Sequence, residues 1–230
     1  VVVGSHSEPE SQVRPRFMGR YNFLTTEEQI VLICPNVRGS RGYGKKFLKA
    51  DNGEGRAKVL LDIERIYNAV AANPLWDQNR IAVMGGSYGG FMALHSMVNL
   101  NNFVRCGIDV VGISNFVTFL ENTSDYRRDL RRVEYGNERQ PEMRKFLQEL
   151  SPLTHVEKIT RPLLIVQGAN DPRVPASESA QIEAALRKKD IETWYLLAKD
   201  EGHGFRKQAN RTFQFLTTVQ FLRRHLLGAD

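Results

Sequence analysis

The run Ile81-Ala82-Val83-Met84-Gly85-Gly86-Ser87-Tyr88-Gly89-Gly90 carries the sharpest chemical signal in this chain. A β-rich apolar stretch leads into Gly-x-Ser-x-Gly, and a helical stretch, Phe91–Leu100, follows. On such a strand-to-helix turn a serine holds its hydroxyl exposed, and Gly85 and Gly89 are small because strand and helix approach too closely for side chains. A glycine-rich connector is the bland alternative, and the flanking strand and helix weigh against it. A serine hydroxyl is a weak nucleophile near neutral pH, so it needs a neighbouring base, itself oriented by a carboxylate. Where the serine sits on this kind of turn, the order along the chain is Ser, acid, His.

Five histidines compete for the role of base. His6 precedes the serine, His95 lies on the helix behind it, His155 precedes the best acid, and His225 sits on the terminal helix among leucines. His203 is left, in Asp200-Glu201-Gly202-His203-Gly204-Phe205, a loop with glycines on both sides of the ring-bearing residue. The acid is expected at Asp171, in Gly168-Ala169-Asn170-Asp171-Pro172-Arg173-Val174-Pro175, where the two prolines stiffen the turn before the next helix. An Asp before Pro is commonly only a turn or capping residue. Its place after an apolar run, between Ser87 and His203, favours the catalytic reading.

These loops need a scaffold, and the rest of the chain supplies the pattern of one. Short β-rich runs at Val1–Gly4, Gln29–Cys34, Arg80–Met84, Arg105–Val111, Leu163–Gln167 and Glu192–Leu197 alternate with segments of helical period. Val59, Ile63, Ile66 and Val70 form one such stripe, Ile182, Ala185 and Leu186 another, and Phe215, Val219, Leu222 and Leu226 a third. The alternation predicts a mostly parallel sheet of six strands with helices on both faces, in one domain spanning residues 1–230. Residues 115–150, polar and carrying Pro141, read as a helical insertion above the carboxyl edge of the sheet, where ligands bind in open α/β folds.

Composition excludes several alternatives. The 230 residues are 41% hydrophobic and 25% charged, ordinary for a globular domain, and no apolar run reaches the ~18 residues a membrane span requires. The charge of +6 is not focused into a nucleic-acid surface. Its densest cluster, Arg127, Arg128, Arg131 and Arg132, has helical spacing with Asp and Glu interleaved. The chain opens on Val1, with an apolar start too short for a signal peptide, and reads as a piece of something longer. Cys34 and Cys106 fall in separate strands, so a reduced, cytoplasmic setting is expected rather than a disulfide.

With these residues in view, the chain resembles the prolyl oligopeptidase family of serine peptidases, and most of all its acylaminoacyl-peptidase and dipeptidyl-peptidase-like members. The stretches that carry the resemblance are Pro35-Asn36-Val37-Arg38-Gly39-Ser40-Arg41-Gly42-Tyr43-Gly44, Gly85–Gly90, Gly168–Pro175 and Gly202-His203-Gly204-Phe205. Their order fits, and the likeness runs from His6 onward. It implies an α/β-hydrolase catalytic domain, with amino-terminal strands truncated here and the family's β-propeller absent from this chain. It further implies Ser87, Asp171 and His203 in the triad positions, oligopeptide or acyl-peptide substrates, and neither a metal nor an organic cofactor.

One departure stands out. Where similar peptidases read His-Gly-Gly-Pro, this chain has His6-Ser7-Glu8-Pro9, placing Glu8 where a glycine N–H commonly serves the oxyanion hole. A carboxylate ~5 Å from a developing oxyanion would cost on the order of 3 kcal/mol at an effective dielectric near 20. Pointing outward, it would cost little. The expected oxyanion donors are therefore the Tyr88 N–H and the loop holding His6 and Glu8. Arg127, Arg128, Phe116 and Phe119 are candidates for substrate contact, with surface arginines and core aromatics as the competing reading. Three functions remain open: a serine peptidase, a carboxylesterase using the same triad, and an inactive hydrolase-fold binding module. In the last case an exposed strand edge would favour a homo-oligomer.

Overall fold

The computed structural model describes residues 1–229. Strands β1 (Val2–Ser5), β2 (Leu32–Ile33), β3 (Ala82–Gly86), β4 (Cys106–Val110), β5 (Leu163–Gly168) and β6 (Thr193–Ala198) form one sheet in the order β2-β1-β3-β4-β5-β6. Every neighbouring pair is parallel. The short helices α1 (Asn22–Thr26) and α2 (Lys45–Leu48) precede α3 (Val59–Ala71) and α4 (Tyr88–Asn99). The expected insertion is built from α5 (Phe116–Asn122), α6 (Asp125–Tyr135) and α7 (Pro141–Leu150), and α8 (Ala176–Arg187) and α9 (Gln208–Leu222) complete the set.

Alternate residues of each strand feed opposite cores, as the period-two geometry of a strand requires. Val3, Val83, Leu163 and Ile165 join the core under α3, α4 and α8, while Val2, Ala82, Leu164 and Val166 join the core under α1 and α9. Because both faces are covered, β5 is buried along its whole length and β4 nearly so, and each reads as an almost unbroken apolar run. The two cores also fix register: a slip of one residue would send every strand side chain to the wrong face.

The strand expected at Gln29–Cys34 shrinks to Leu32–Ile33. Gln29 takes φ 52, and the Ile30 N–H closes onto Leu24 O behind α1, so the strand starts three residues late. Asn115 begins the insertion by capping α5, its side chain accepting from the Val117 and Thr118 N–H groups. Glu178, fully buried on α8, anchors the same point by accepting from the Ser114 and Asn115 N–H groups and the Thr118 hydroxyl.

Candidate active site

Ser87 sits between β3 and α4 with φ 56 and ψ −118, a conformation that costs a non-glycine residue roughly 1–3 kcal/mol and persists only when its surroundings enforce it. Here they do. The Ser87 N–H donates to Val110 O at 2.8 Å on the neighbouring strand. A Cβ on Gly85 would lie 2.0 Å from Gly89 O, and one on Gly89 would lie 2.4 Å from Ser5 O, so neither glycine can be replaced without moving backbone. The Ser87 side chain is half-buried at the carboxyl end of the sheet.

Asp171 lies in the loop after β5, with its side chain excluded from solvent. One oxygen, Oδ1, accepts from the Arg173 and Val174 N–H groups at 2.8 and 3.1 Å, which shapes the turn. The other, Oδ2, lies 2.7 Å from His203 Nδ1. A carboxylate can only accept, so Nδ1 carries the proton and Nε2 keeps its lone pair free to take one. Asp171 and His203 are thus joined. No hydrogen bond involves the Ser87 hydroxyl among the described residues, a looseness common before substrate is bound.

Glu201, which sequence reasoning passed over, holds the two loops together. Its Oε2 accepts from the Arg206 N–H at 2.9 Å, and its Oε1 accepts from the Lys207 N–H and the Asn210 amide at 2.9 and 2.8 Å. Its carbonyl accepts from the Asn170 N–H at 2.9 Å, tying the histidine loop to the aspartate loop. The bond from the Arg206 N–H, joined by those from Asn210 and Lys207, holds the carboxyl below its ordinary range. A signal existed in the sequence, an acidic residue directly before Gly-His-Gly, but its partners lie in the lead-in to α9, on its first turn and in the aspartate loop.

On the oxyanion side, the Tyr88 N–H donates to Ser7 O at 3.3 Å. The intervening peptides are trans, so the Glu8 N–H emerges from the opposite edge of the Ser7–Glu8 peptide, and the two expected donors do not converge in this state. The His6 ring is not free either: Nδ1 is 2.6 Å from Glu8 O, and Nε2 is 2.9 Å from the Ser40 hydroxyl. Burial lowers the His6 pKa. The Glu8 carboxylate is 55% exposed and lies 3.8 Å from Arg173, so it points outward toward a cation.

The substrate candidates divide. Phe116 and Phe119 are buried, at 0% and 3% exposure, packed with Tyr135, Tyr88 and Phe91 in the main core; they are core residues and do not line an open pocket. Both lie on the buried stripe of α5, a pattern that periodicity alone does not separate from a pocket wall. Arg128 is engaged by Asp125 and by Thr123 O, while the Arg127 guanidinium stands 6.0 Å from the Tyr126 ring centre. Among the described residues neither makes a hydrogen bond to Ser87, Asp171 or His203. Among the described residues no group of three or more His, Cys, Asp or Glu side chains is placed to hold a metal ion, and no helix is long and apolar enough to cross a membrane.

Comparison with known proteins agrees with this architecture. The sequence profile described as the prolyl oligopeptidase family matches residues 15–229. Dipeptidyl peptidase family member 6 of Caenorhabditis elegans is 37% identical over 232 residues, covering 99% of this chain and 31% of that protein. Dipeptidyl aminopeptidase BIII of Pseudoxanthomonas mexicana is 38% identical over 205 residues, 86% of this chain and 30% of that protein. Among solved structures, a puromycin-hydrolyzing peptidase of Mycobacterium tuberculosis superposes with a TM-score of 0.88 at 27% identity, over 100% of this chain and 34% of that one. The chain therefore spans about a third of the length of these relatives.

Proposed function

This chain belongs to the prolyl oligopeptidase family, and on that premise we propose that it hydrolyses peptide or acyl-peptide bonds as a serine peptidase. The observation that carries the reading is the 2.7 Å contact of His203 Nδ1 with Asp171 Oδ2, in loops at the same carboxyl edge of the parallel sheet as Ser87, which is held at positive φ. The Ser87 hydroxyl attacks the substrate carbonyl while His203 Nε2 takes its proton. Asp171 keeps the proton of the neutral ring on Nδ1 and stabilises the imidazolium that forms. The imidazolium then protonates the leaving amine, and the acyl group stays on Ser87. Water, deprotonated by the same ring, attacks the acyl-enzyme and releases the acid and the free serine.

The tetrahedral oxyanion needs donors, and the Tyr88 N–H is the nearest to the nucleophile. Because Ser7 O occupies it at 3.3 Å, substrate carbonyl must displace that contact. This occupied donor is the observation that favours a second reading, a hydrolase-fold module without turnover. Oligopeptides and acyl-peptides are the proposed substrates, in line with relatives named as dipeptidyl aminopeptidase and acylamino-acid-releasing enzyme.

The test is a pair of matched substrates, a peptidyl nitroanilide and the nitrophenyl ester of the same peptide. A peptidase turns over both. Ester turnover with no anilide turnover would make it a carboxylesterase, and turnover of neither would leave the binding-module reading.

A further inference from the structure

Arg56 has no part in the mechanism above, yet it is among the most deeply buried charges in the protein, at 1% exposure. Its Nη1 donates to Asp51 Oδ2 at 2.6 Å, and its Nη2 donates to Glu134 O at 3.2 Å at the end of α6. The guanidinium carbon stands 4.8 Å from the ring centre of Tyr88 and 4.8 Å from that of Tyr135. Both rings are buried, at 2% exposure each, and their centres are 6.3 Å apart. The cation therefore sits in a notch between the two rings, while its planar fork reaches Asp51 Oδ2 and Glu134 O together, a reach that a single ammonium does not reproduce.

Tyr88 is the residue directly after the strained serine, and its N–H is the candidate oxyanion donor. The Asp51 carboxylate reaches the other side of the same site: it packs so closely on Gly39, at φ 95, that a Cβ there would lie 2.4 Å from it. Ser40, the next residue, holds His6 Nε2 at 2.9 Å, and His6 in turn holds Glu8 O. One buried ion pair thus supports both segments that border the nucleophile, and it joins them to the insertion through Tyr135 and Glu134.

We propose that Arg56, paired with Asp51, is a positioning residue for acyl transfer: its grip on the Tyr88 ring fixes the Tyr88 N–H and sustains the strained backbone of Ser87. This inference rests on the acyl-transfer reading of Ser87. Displacing an oxyanion donor weakens binding of the transition state and leaves ground-state binding intact, so the effect belongs in kcat.

Two variants test it. Arg56→Lys keeps the charge and loses the planar fork. The double variant Arg56→Met with Asp51→Asn removes both charges together, so no lone carboxylate is left buried. Active sites are counted by fluorophosphonate titration, and kcat and KM are measured per titrated site on a peptidyl nitroanilide. A peptide boronate reports affinity for the tetrahedral state. The expected result is a kcat lower by roughly 10- to 100-fold in both variants, KM within about twofold, and boronate affinity reduced by the same factor as kcat. Unchanged kcat per titrated site in both variants, whatever happens to the melting temperature, overturns the inference and leaves Arg56 a packing residue. A rise in KM alone overturns it as well. A wild-type protein that takes no fluorophosphonate overturns the acyl-transfer reading itself, which separates the two failures.

Discussion

His203 stood out in the sequence because the other four histidines were in the wrong order or on helices, and a histidine loop can be recognised from its flanking glycines. What could not be read was which of its nitrogens carries the proton. That answer comes from Asp171, whose two oxygens do different work: Oδ1 shapes the turn through the Arg173 and Val174 N–H groups, and Oδ2 meets His203 Nδ1. The division makes Asp171→Asn a clean test. An asparagine Oδ1 can still accept both backbone bonds, so the loop survives, but its amide NH₂ faces Nδ1 and forces the other tautomer. Nε2 then bears a proton and cannot act as base. The expected loss in kcat is on the order of 10³–10⁴-fold, with the circular dichroism spectrum and melting temperature little changed. A loss under about tenfold would remove Asp171 from the relay. Glu8 was equally visible as a departure, and its outward placement beside Arg173 relieves the electrostatic cost that its carboxylate threatened.

The strands were legible because alternating or unbroken apolar runs bounded by Gly and Pro have few other readings, and β3 to β6 lie within about two residues of expectation. Only β2 fell short, because Gln29 and Ile30 are committed to closing α1. Contacts between elements were not legible. Arg56 meets Tyr88 and Tyr135, and Glu178 meets Ser114, across separations that no local pattern encodes. Asp109 on β4 belongs to the same class. It is fully buried, and neither carboxyl oxygen finds a hydrogen-bond partner among the described residues. It is wedged so tightly that a Cβ on Gly90 or Gly112 would come within 2.3 or 2.0 Å of its Oδ1. Burial raises its pKa to about 7. A folded-state value above the unfolded one means that the stabilising contribution is whole below pH ~4, fades as pH rises, and is gone above pH ~7. Asp109→Asn removes that titration. Between pH 5 and 8 the variant should gain on wild type by about 3 kcal/mol, at 1.36 kcal/mol per unit over the two units below 7. Denaturant melts of both proteins at the two pH values measure it, and parallel stabilities across the range would contradict it.

The whole molecule is a doubly covered parallel sheet whose carboxyl edge gathers residues 87, 171 and 203. Three crossovers carry the chain between those positions, and the helical insertion lies within the second, between β4 and β5. Its helix α6 reaches Tyr88, the residue after Ser87, through Tyr135 and Arg56. The chain spans about a third of the length of these relatives. Fold alone does not settle activity; the reactive group does. The direct measurement is intact-mass spectrometry after treatment with a fluorophosphonate, with the adduct located by peptide mapping. The account predicts a single adduct, on Ser87 of the wild-type protein, and none on Ser87→Ala. An adduct that persists in the variant, or a folded wild-type protein that acquires none, would contradict it.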